Sequence, residues 1–491
     1  MSVILSIDQS TQGTKGLVWS FDGALLGRAD VPHRQLVSGE GWVSHDLAEI
    51  WESVQRAARE ALAAAAVSPA DVAVLGLSNQ RETACCWNRE TGEPLCPAIV
   101  WQCGRAASIA SGLREQGWEP RVRQKTGLTL SPYFSAPKYA WMLRHEPEAA
   151  RAAQSDALCF GTVDSYLVFR LTEGRVFATD CSNASRTGLL NLDTLRWDTE
   201  LLEAYGLREG FLPEIRMSDD CFGETTIGGL LPCPVPIHGV LGDSHAALFA
   251  HRCVEPYTAK VTYGTGSSIM MNAGSVRPRE SAGVVTSLAW GRRGKAVYCV
   301  EGNINYTGAV ITWLVEMGLL EKPSLSGSIA ASLSGNGGVY LVPAFSGLGA
   351  PYFNDKARAA IIGMDRSTRP AHLVRAAEEC IAYQIRDVVE SVTEAAGRPL
   401  SRLCADGGPT RDRFLMRFQA GLLGMPLLVS ETEELSGAGA AYCAAIGAGL
   451  VSEEQIFAGL RKREILPEME NTERGKLLRG WREAVAAVAG K

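Results

Sequence analysis

Apolar residues come in blocks at the start of the chain. Residues 3–7, 17–21 and 24–31 are mostly apolar, separated by a polar loop at 10–16 and by the dipeptide Asp22-Gly23. Asp-Gly between apolar runs favours a two-residue hairpin, so the pattern predicts strand, loop, strand, turn, strand. From Asp46 onward the spacing turns helical: Leu47, Ile50, Trp51, Val54, Ala58, Ala61 and Leu62 share one face, with Asp46 as N-cap. Residues 72–77 read as a buried strand that ends in the polar run Ser78-Asn79-Gln80-Arg81-Glu82. Adjacent residues on extended chain point opposite ways, so Arg81 and Glu82 need not pair with each other. A second hairpin is expected between residues 83–88 and 98–102, a helix within 135–145, another at 161–171, and a polar loop at 179–188.

The middle of the chain holds a different signal. An apolar run at 236–241 stops at Gly242, and Asp243 follows. Ser244 can cap a helix containing Ala246, Ala247, Leu248 and Ala250. Asp243 then stands at the C-terminal end of a strand, where open α/β sheets bind ligands. An aspartate that merely caps the helix is the plainer alternative. Residues 259–274 repeat the motif of the first thirty: strand, a turn of small residues around Gly264-Thr265-Gly266, strand. Such self-similarity predicts two related lobes, 1–245 and 246–491, each presenting a hairpin to a common cleft. A long amphipathic helix is predicted over 370–396, and Asp406-Gly407-Gly408 ends a strand ahead of a helix from Arg413. A small-residue helix at 436–446 is expected to pack on that second sheet.

Length and composition narrow the classes. At 491 residues the chain exceeds one ordinary core, and 46% hydrophobic with 21% charged residues describes a globular α/β protein. A net charge of -6 argues against nucleic acid as the partner. No apolar stretch reaches the roughly 18 residues of a membrane span, so a cytoplasmic protein without membrane contact is expected. The 13 cysteines contain no CxxC pair, which suggests neither a disulfide framework nor a zinc site. A homo-oligomer is compatible with the sequence but not indicated by it.

The chemistry concentrates at the hairpins. The loop at 10–16 is rich in hydroxyls and glycine and carries Lys15, a composition that can aim N–H groups and a cation at phosphate without being a Walker A motif. Asp8, at the end of a buried strand beside it, is costly unless it binds something. Two such loops facing each other would hold a polyphosphate from both sides.

Read together, these stretches resemble the FGGY carbohydrate kinases, closest in motifs to the glycerol kinase branch. The resemblance runs through Asn79-Gln-Arg-Glu-Thr83, Ile99-Val-Trp-Gln-Cys103, Pro132-Tyr-Phe-Ser135, Asn183-Ala-Ser-Arg-Thr187, Thr262-Tyr-Gly-Thr-Gly266 and Leu341-Val-Pro-Ala-Phe-Ser-Gly-Leu-Gly-Ala-Pro351. It implies two ribonuclease H-like, actin-like lobes with the active site in the cleft between them, and an ATP- and Mg2+-dependent kinase acting on a small polyol or sugar. By the same resemblance Asp243 is the general base and Asp8 stands near the metal. Thr11, Gln12, Lys15, Thr265, Gly266, Gly308, Thr312, Gly408 and Asp412 fall on nucleotide positions, and Arg81, Glu82, Trp101 and Tyr133 on the acceptor set.

The chain also departs from that branch. Lys15 replaces an arginine, Thr312 a glutamine and Asp412 an asparagine, while Ser244 replaces a glutamine and Ser268 a phenylalanine. His245 completes an Asp-x-His-Ala string that resembles ribulokinases. Asp243, Ser244, His245 and Ser268 are therefore added to the acceptor set. The expected acceptor is at least as large as glycerol, such as a tetritol or pentulose. The alternative is an actin-like assembly ATPase, which would have no use for a polyol clasp.

Overall fold

A computed structural model describes residues 2–281 and 283–490. Two mixed sheets organise them. In the first, the spatial order is Glu224–Thr225, Val235–Gly242, Val72–Asn79, Val3–Gln9, Gly13–Trp19, Leu25–Pro32. Val3–Gln9 runs antiparallel to Gly13–Trp19 and parallel to Val72–Asn79, which in turn runs parallel to Val235–Gly242. The second sheet follows the same plan. Thr258–Tyr263 is antiparallel to Ser267–Gly274, which pairs with Lys295–Ile304; on its other side it is parallel to Arg402–Asp406, itself parallel to Leu427–Ser430. Val285–Arg292 and Lys462–Ile465 extend the two edges. The repeat expected from two hairpins thus extends to five strands with matching order and direction, the arrangement of ribonuclease H-like lobes.

All seven residues of Val3–Gln9 are buried, as a strand covered on both faces requires. One cover is the helix Leu47–Ala64. Its N-terminal amides at Ala48 and Glu49 donate to the Asp46 carboxylate, and its buried face carries Leu47, Ile50, Val54, Ala58, Ala61 and Leu62. The other cover comes from the far end of the chain. The helix Leu435–Gly447 packs on Val3–Gln9, Val72–Asn79 and Val235–Gly242, not on the second sheet as expected from the sequence. Its small residues are what allow this. A Cβ added at Gly439 would lie 1.8 Å from the Ala246 carbonyl oxygen, so this helix and Asp243–Ala250 approach to backbone contact. Around them Ile4, Leu17 and Val74 of one sheet share a core with Met270, Cys299 and Cys404 of the other. The outer face of the second sheet is covered by Pro370–Ala396, with the bounds the sequence predicts.

Two local expectations are corrected. Cys85–Asn88 pairs with Leu158–Gly161, and Ala98–Ile99 with Val43–His45, leaving only isolated bridges of the expected second hairpin. Burial of Trp87 against Tyr166, Phe169 and Phe177 draws that strand elsewhere. Residues 179–188 are not a surface loop. Ala178–Asp180 is a strand, and Cys181–Ala184 a helical turn whose Ser182 and Asn183 amides donate to Asp180. Polar residues are buried there because they satisfy one another: Asn79 and Asn183 exchange two amide hydrogen bonds of 3.0 Å. The cysteines are all unpaired, and all but Cys221 and Cys233 are buried.

Candidate active site

The first hairpin is tighter than expected. Ser10 N–H donates to Gly13 O at 2.8 Å, so the turn is short and Lys15 lies on a strand, directly across from Asp8. Asp8 is 5% exposed and accepts from Ser78 Oγ at 2.9 Å. Burial lifts its pKa to about 6; the Lys15 charge opposes the rise and Asp243 adds to it. Lys15 itself pairs with Glu434, which also meets Arg28 at 2.7 Å. The equivalent place in the second lobe holds the same pair with the partners exchanged: Thr262 Oγ1 donates to Asp406 at 3.1 Å. Asp406 is further bound to His251 at 2.6 Å; burial pushes its pKa up, and His251, Lys260 and Thr262 together outweigh that and hold it low. Gly407 follows at φ +97°, where a Cβ would fall 1.9 Å from Tyr263 O, so only glycine lets the chain cross the hairpin here.

Asp243 is the first residue of the helix Asp243–Ala250. Its N-cap is Gly242, not Ser244. Oδ1 accepts the Ser244 N–H at 2.6 Å and lies 3.3 Å from Arg81 Nε. Among the described residues nothing donates to Oδ2, and the side chain is 35% exposed to the cleft. The polar run after Val72–Asn79 brings Arg81 in at 7% exposure and turns Glu82 to φ 60°. The two do not pair. Arg81 makes a bidentate contact with Glu301 at 2.8 and 2.9 Å, and Glu82 meets Arg186 at 2.5 Å. Arg186 lies 3.2 Å from Glu301 as well, and Ser268 Oγ donates to Glu301 at 3.4 Å. Burial alone would raise the Glu301 pKa, but the two guanidiniums hold it well below the carboxylate range.

Glu301 and Arg186 are functional candidates that the sequence reading did not single out. The available signal was an acid closing the apolar run Val297 to Val300, facing the same side as other cleft residues by strand alternation.

Three cavities adjoin in the cleft. One, of about 520 Å³, is lined by Thr11, Arg81, Glu82, Trp101, Tyr133, Asp243, Ser244, Thr265, Gly266 and Ser268. Trp101 and Tyr133 meet edge to face at 5.5 Å, and the indole donates to Thr11 Oγ1 at 2.9 Å. A second, of about 560 Å³, is lined by Thr265, Gly308, Thr312, Gly408 and Asp412. The widest, about 900 Å³, contains Asp8, Lys15, Asp243, Ser244, Ser268 and Gly408 and touches both others. Two residues of the expected set line none of these. Gln12 is exposed, and only its backbone carbonyl is engaged, accepting from His33 N–H. His245 is wholly buried, and among the described residues neither ring nitrogen has a hydrogen-bond partner; burial first and the Arg81 charge second depress its pKa well below the usual imidazole value.

Beneath the aromatic wall, Lys138 is fully buried and donates to the carbonyls of Tyr133 and Phe134. Burial lowers its pKa from 10.5 to about 7, against the pull of Glu82. Between those values the unfolded chain holds a proton that the folded chain lacks, so folding stability should rise with pH across the window. The Lys138→Met variant should lose up to one proton of that slope in urea unfolding at pH 7, 8 and 9. Parallel profiles for the two proteins would show that Lys138 keeps its ordinary pKa in the fold.

Two lobes of one topology, with an acceptor-sized pocket and a second pocket that share Thr265 and open on a cleft containing Asp8 and Asp243, define a two-lobed phosphotransferase. The models of the FGGY family of carbohydrate kinases match residues 3–250 (N-terminal domain) and 259–448 (C-terminal domain). The chain is 45% identical to a glycerol kinase of Thermus brockianus over 100% of this chain and 99% of the relative. It is 43% identical to glycerol kinase 1 of Thermotoga maritima over 98% of each. Among solved structures it resembles Plasmodium falciparum glycerol kinase with ADP at a TM-score of 0.94 and 31% identity, covering 99% and 98% of the two chains. A xylulose kinase from Lactobacillus acidophilus shares the fold at a TM-score of 0.87 and 21% identity, covering 100% and 99%. The chain belongs to the FGGY family of carbohydrate kinases, and it is an ATP-dependent kinase of a small polyol or sugar. An assembly ATPase is not favoured. Among the described residues, no helix is long and apolar enough to cross a membrane.

Proposed function

We propose that the acceptor is an open-chain polyol or ketose of glycerol size or larger, bound in the pocket of Arg81, Glu82, Trp101 and Tyr133, with Asp243 as general base. The carrying observation is Asp243 itself: its side chain lines the cleft, its Oδ1 is committed to Ser244 and Arg81, and among the described residues nothing donates to Oδ2. An acceptor hydroxyl can give its proton to Oδ2 as its oxygen attacks the γ-phosphorus of ATP. The bond from phosphorus to the β–γ bridging oxygen breaks, and ADP leaves. The aromatic pair covers carbon while the charged groups take hydroxyls. Nucleotide binding is assigned to Thr265, Gly308, Thr312, Gly408 and Asp412. Thr11 and Lys15 lie on the phosphate side.

The residues fit Mg2+. Asp8 is a buried carboxylate with a single hydroxyl donor and a raised pKa, beside a second carboxylate, and Mg2+ is commonly held by one or two carboxylates together with substrate phosphates. Such sites need no larger cluster, and among the described residues there is none of three or more His, Cys, Asp or Glu. When bound, the ion would neutralise phosphate charge. We place the lobe boundary near residue 245, within the helix Asp243–Ala250 that follows the first-lobe strand Val235–Gly242.

An ADP-release assay over linear polyols and ketoses of three to five carbons tests the reading. Strong stimulation by one or a few of them is expected. Turnover of glycerol far above every four- and five-carbon compound would remove the enlarged acceptor, and ADP release that no compound stimulates would remove the acceptor pocket.

A further inference from the structure

The acceptor pocket has a wall that none of the family motifs above includes. Asn303 and Asn305 line it together with Ser268, Trp101 and Tyr133. Strand alternation fixes the direction of Asn303. In Lys295–Ile304, Glu301 points at Arg81, so Asn303, two residues on, shares that face. Gly302 and Ile304 point the other way: a Cβ on Gly302 would meet Val388, and Ile304 belongs to the second-lobe core. In the antiparallel ladder Asn303 lies directly opposite Ser268. Ser268 turns its hydroxyl to Glu301. The amides of Asn303 and Asn305 have no hydrogen-bond partner among the described residues, and both residues are exposed to the pocket.

We propose that Asn303 and Asn305 are specificity-determining residues that hydrogen-bond acceptor hydroxyls which Arg81 and Asp243 do not engage. The inference rests on the acceptor reading above and deepens it. An extended polyol has carbon–hydrogen faces and a row of hydroxyls along its edges. The aromatic pair suits the faces; an amide, with two donors and an acceptor, suits hydroxyls whatever their configuration. Position sets the contact. Asn303 lies roughly 7 Å beyond Glu301 at about 3.4 Å per residue, away from the Arg81 contact, so the amides meet acceptor hydroxyls that Arg81 does not. A pocket built to pair with hydroxyls discriminates against an acceptor lacking them, because its own polar groups then go unmatched.

Asn303→Ala, Asn305→Ala and the double variant test this, each assayed with linear polyols and ketoses of three, four and five carbons. The expected result is a fall of about 3- to 10-fold per residue in the ratio of kcat/KM for the preferred longer acceptor to that for glycerol, the loss of one hydrogen bond each, carried by KM. Asn303→Ser, which keeps a donor and an acceptor, should restore part of the ratio. Thermal melting checks that each variant is folded. If the wild type favours a longer acceptor and the variants keep its ratio, or lose glycerol turnover in equal measure, the amide wall is overturned while the acceptor reading stands. If the wild type favours glycerol over every longer compound, the amide wall and the enlarged acceptor fall together, and glycerol itself remains as the acceptor.

Discussion

Asp243→Asn should lower turnover by about three orders of magnitude or more while ATP affinity, measured by calorimetry, stays within a few-fold. The amide keeps the shape and can still accept the Ser244 N–H, but it cannot take a proton from an acceptor hydroxyl. General-base catalysis contributes about 10²- to 10⁴-fold, and the lost carboxylate would also disturb the arrangement of Arg81 beside it. Loss in kcat with little change in KM for ATP is the signature sought. Turnover within tenfold of wild type would take the base role away from Asp243 and leave it as the first residue of its helix.

Glu301→Ala should have the largest effect on the fold near the site. Glu301 is 1% exposed and neutralises two buried guanidiniums, Arg81 and Arg186. Removing one partner of a buried charge group typically costs about 3–5 kcal/mol, because the remaining charges stay in a medium that solvates them poorly. The urea midpoint should fall accordingly. Glu301→Gln keeps the shape and one carbonyl acceptor, so it should fold more nearly as wild type. With Glu301 neutral, the remaining acids beside Arg81 and Arg186 are Glu82 and Asp243, and Arg81 is drawn toward Asp243. The Gln variant should therefore show a raised KM for the acceptor, by about tenfold, with KM for ATP little changed. Equal effects on both substrates would make Glu301 a purely structural residue.

The proposed acceptor clasp consequently belongs to both lobes. Arg81 and Glu82 leave the first sheet, whereas Glu301 and Ser268 lie on adjacent strands of the second. Any separation of the lobes would pull Glu301 from Arg81, which ties the pocket's charge balance to the closed cleft.

Much of this was legible along the chain. Block alternation gave the hairpins of both lobes, helical spacing and the Asp46 cap gave Leu47–Ala64, and the bounds of Pro370–Ala396 follow from the pattern alone. These are local consequences of side-chain period and capping, which a short window contains in full. The position of Asp243 between a strand and a helix is of the same kind. The misread stretches have the opposite character. Residues 179–188 look like a solvated loop because the partners that complete their burial lie elsewhere in the chain, as Asn79 does for Asn183. Leu435–Gly447 reads as a close-packing helix, but its sequence does not say which sheet it meets. That is decided by the backbone approach to Ala246 and to the strands of the first lobe. His245 lies close to Asp243 in sequence, yet helix geometry turns it into the core.

By itself, then, the sequence determined the repeated sheet plan, the family and the carboxylate at the strand end, because period, turn chemistry and motif are written in contiguous residues. Only the tertiary structure decided that Arg81 answers to Glu301, Glu82 to Arg186, and that Asn303 stands opposite Ser268. Charges and amides so far apart in the chain acquire partners only when two sheets fix their distance, and burial then makes those partners matter.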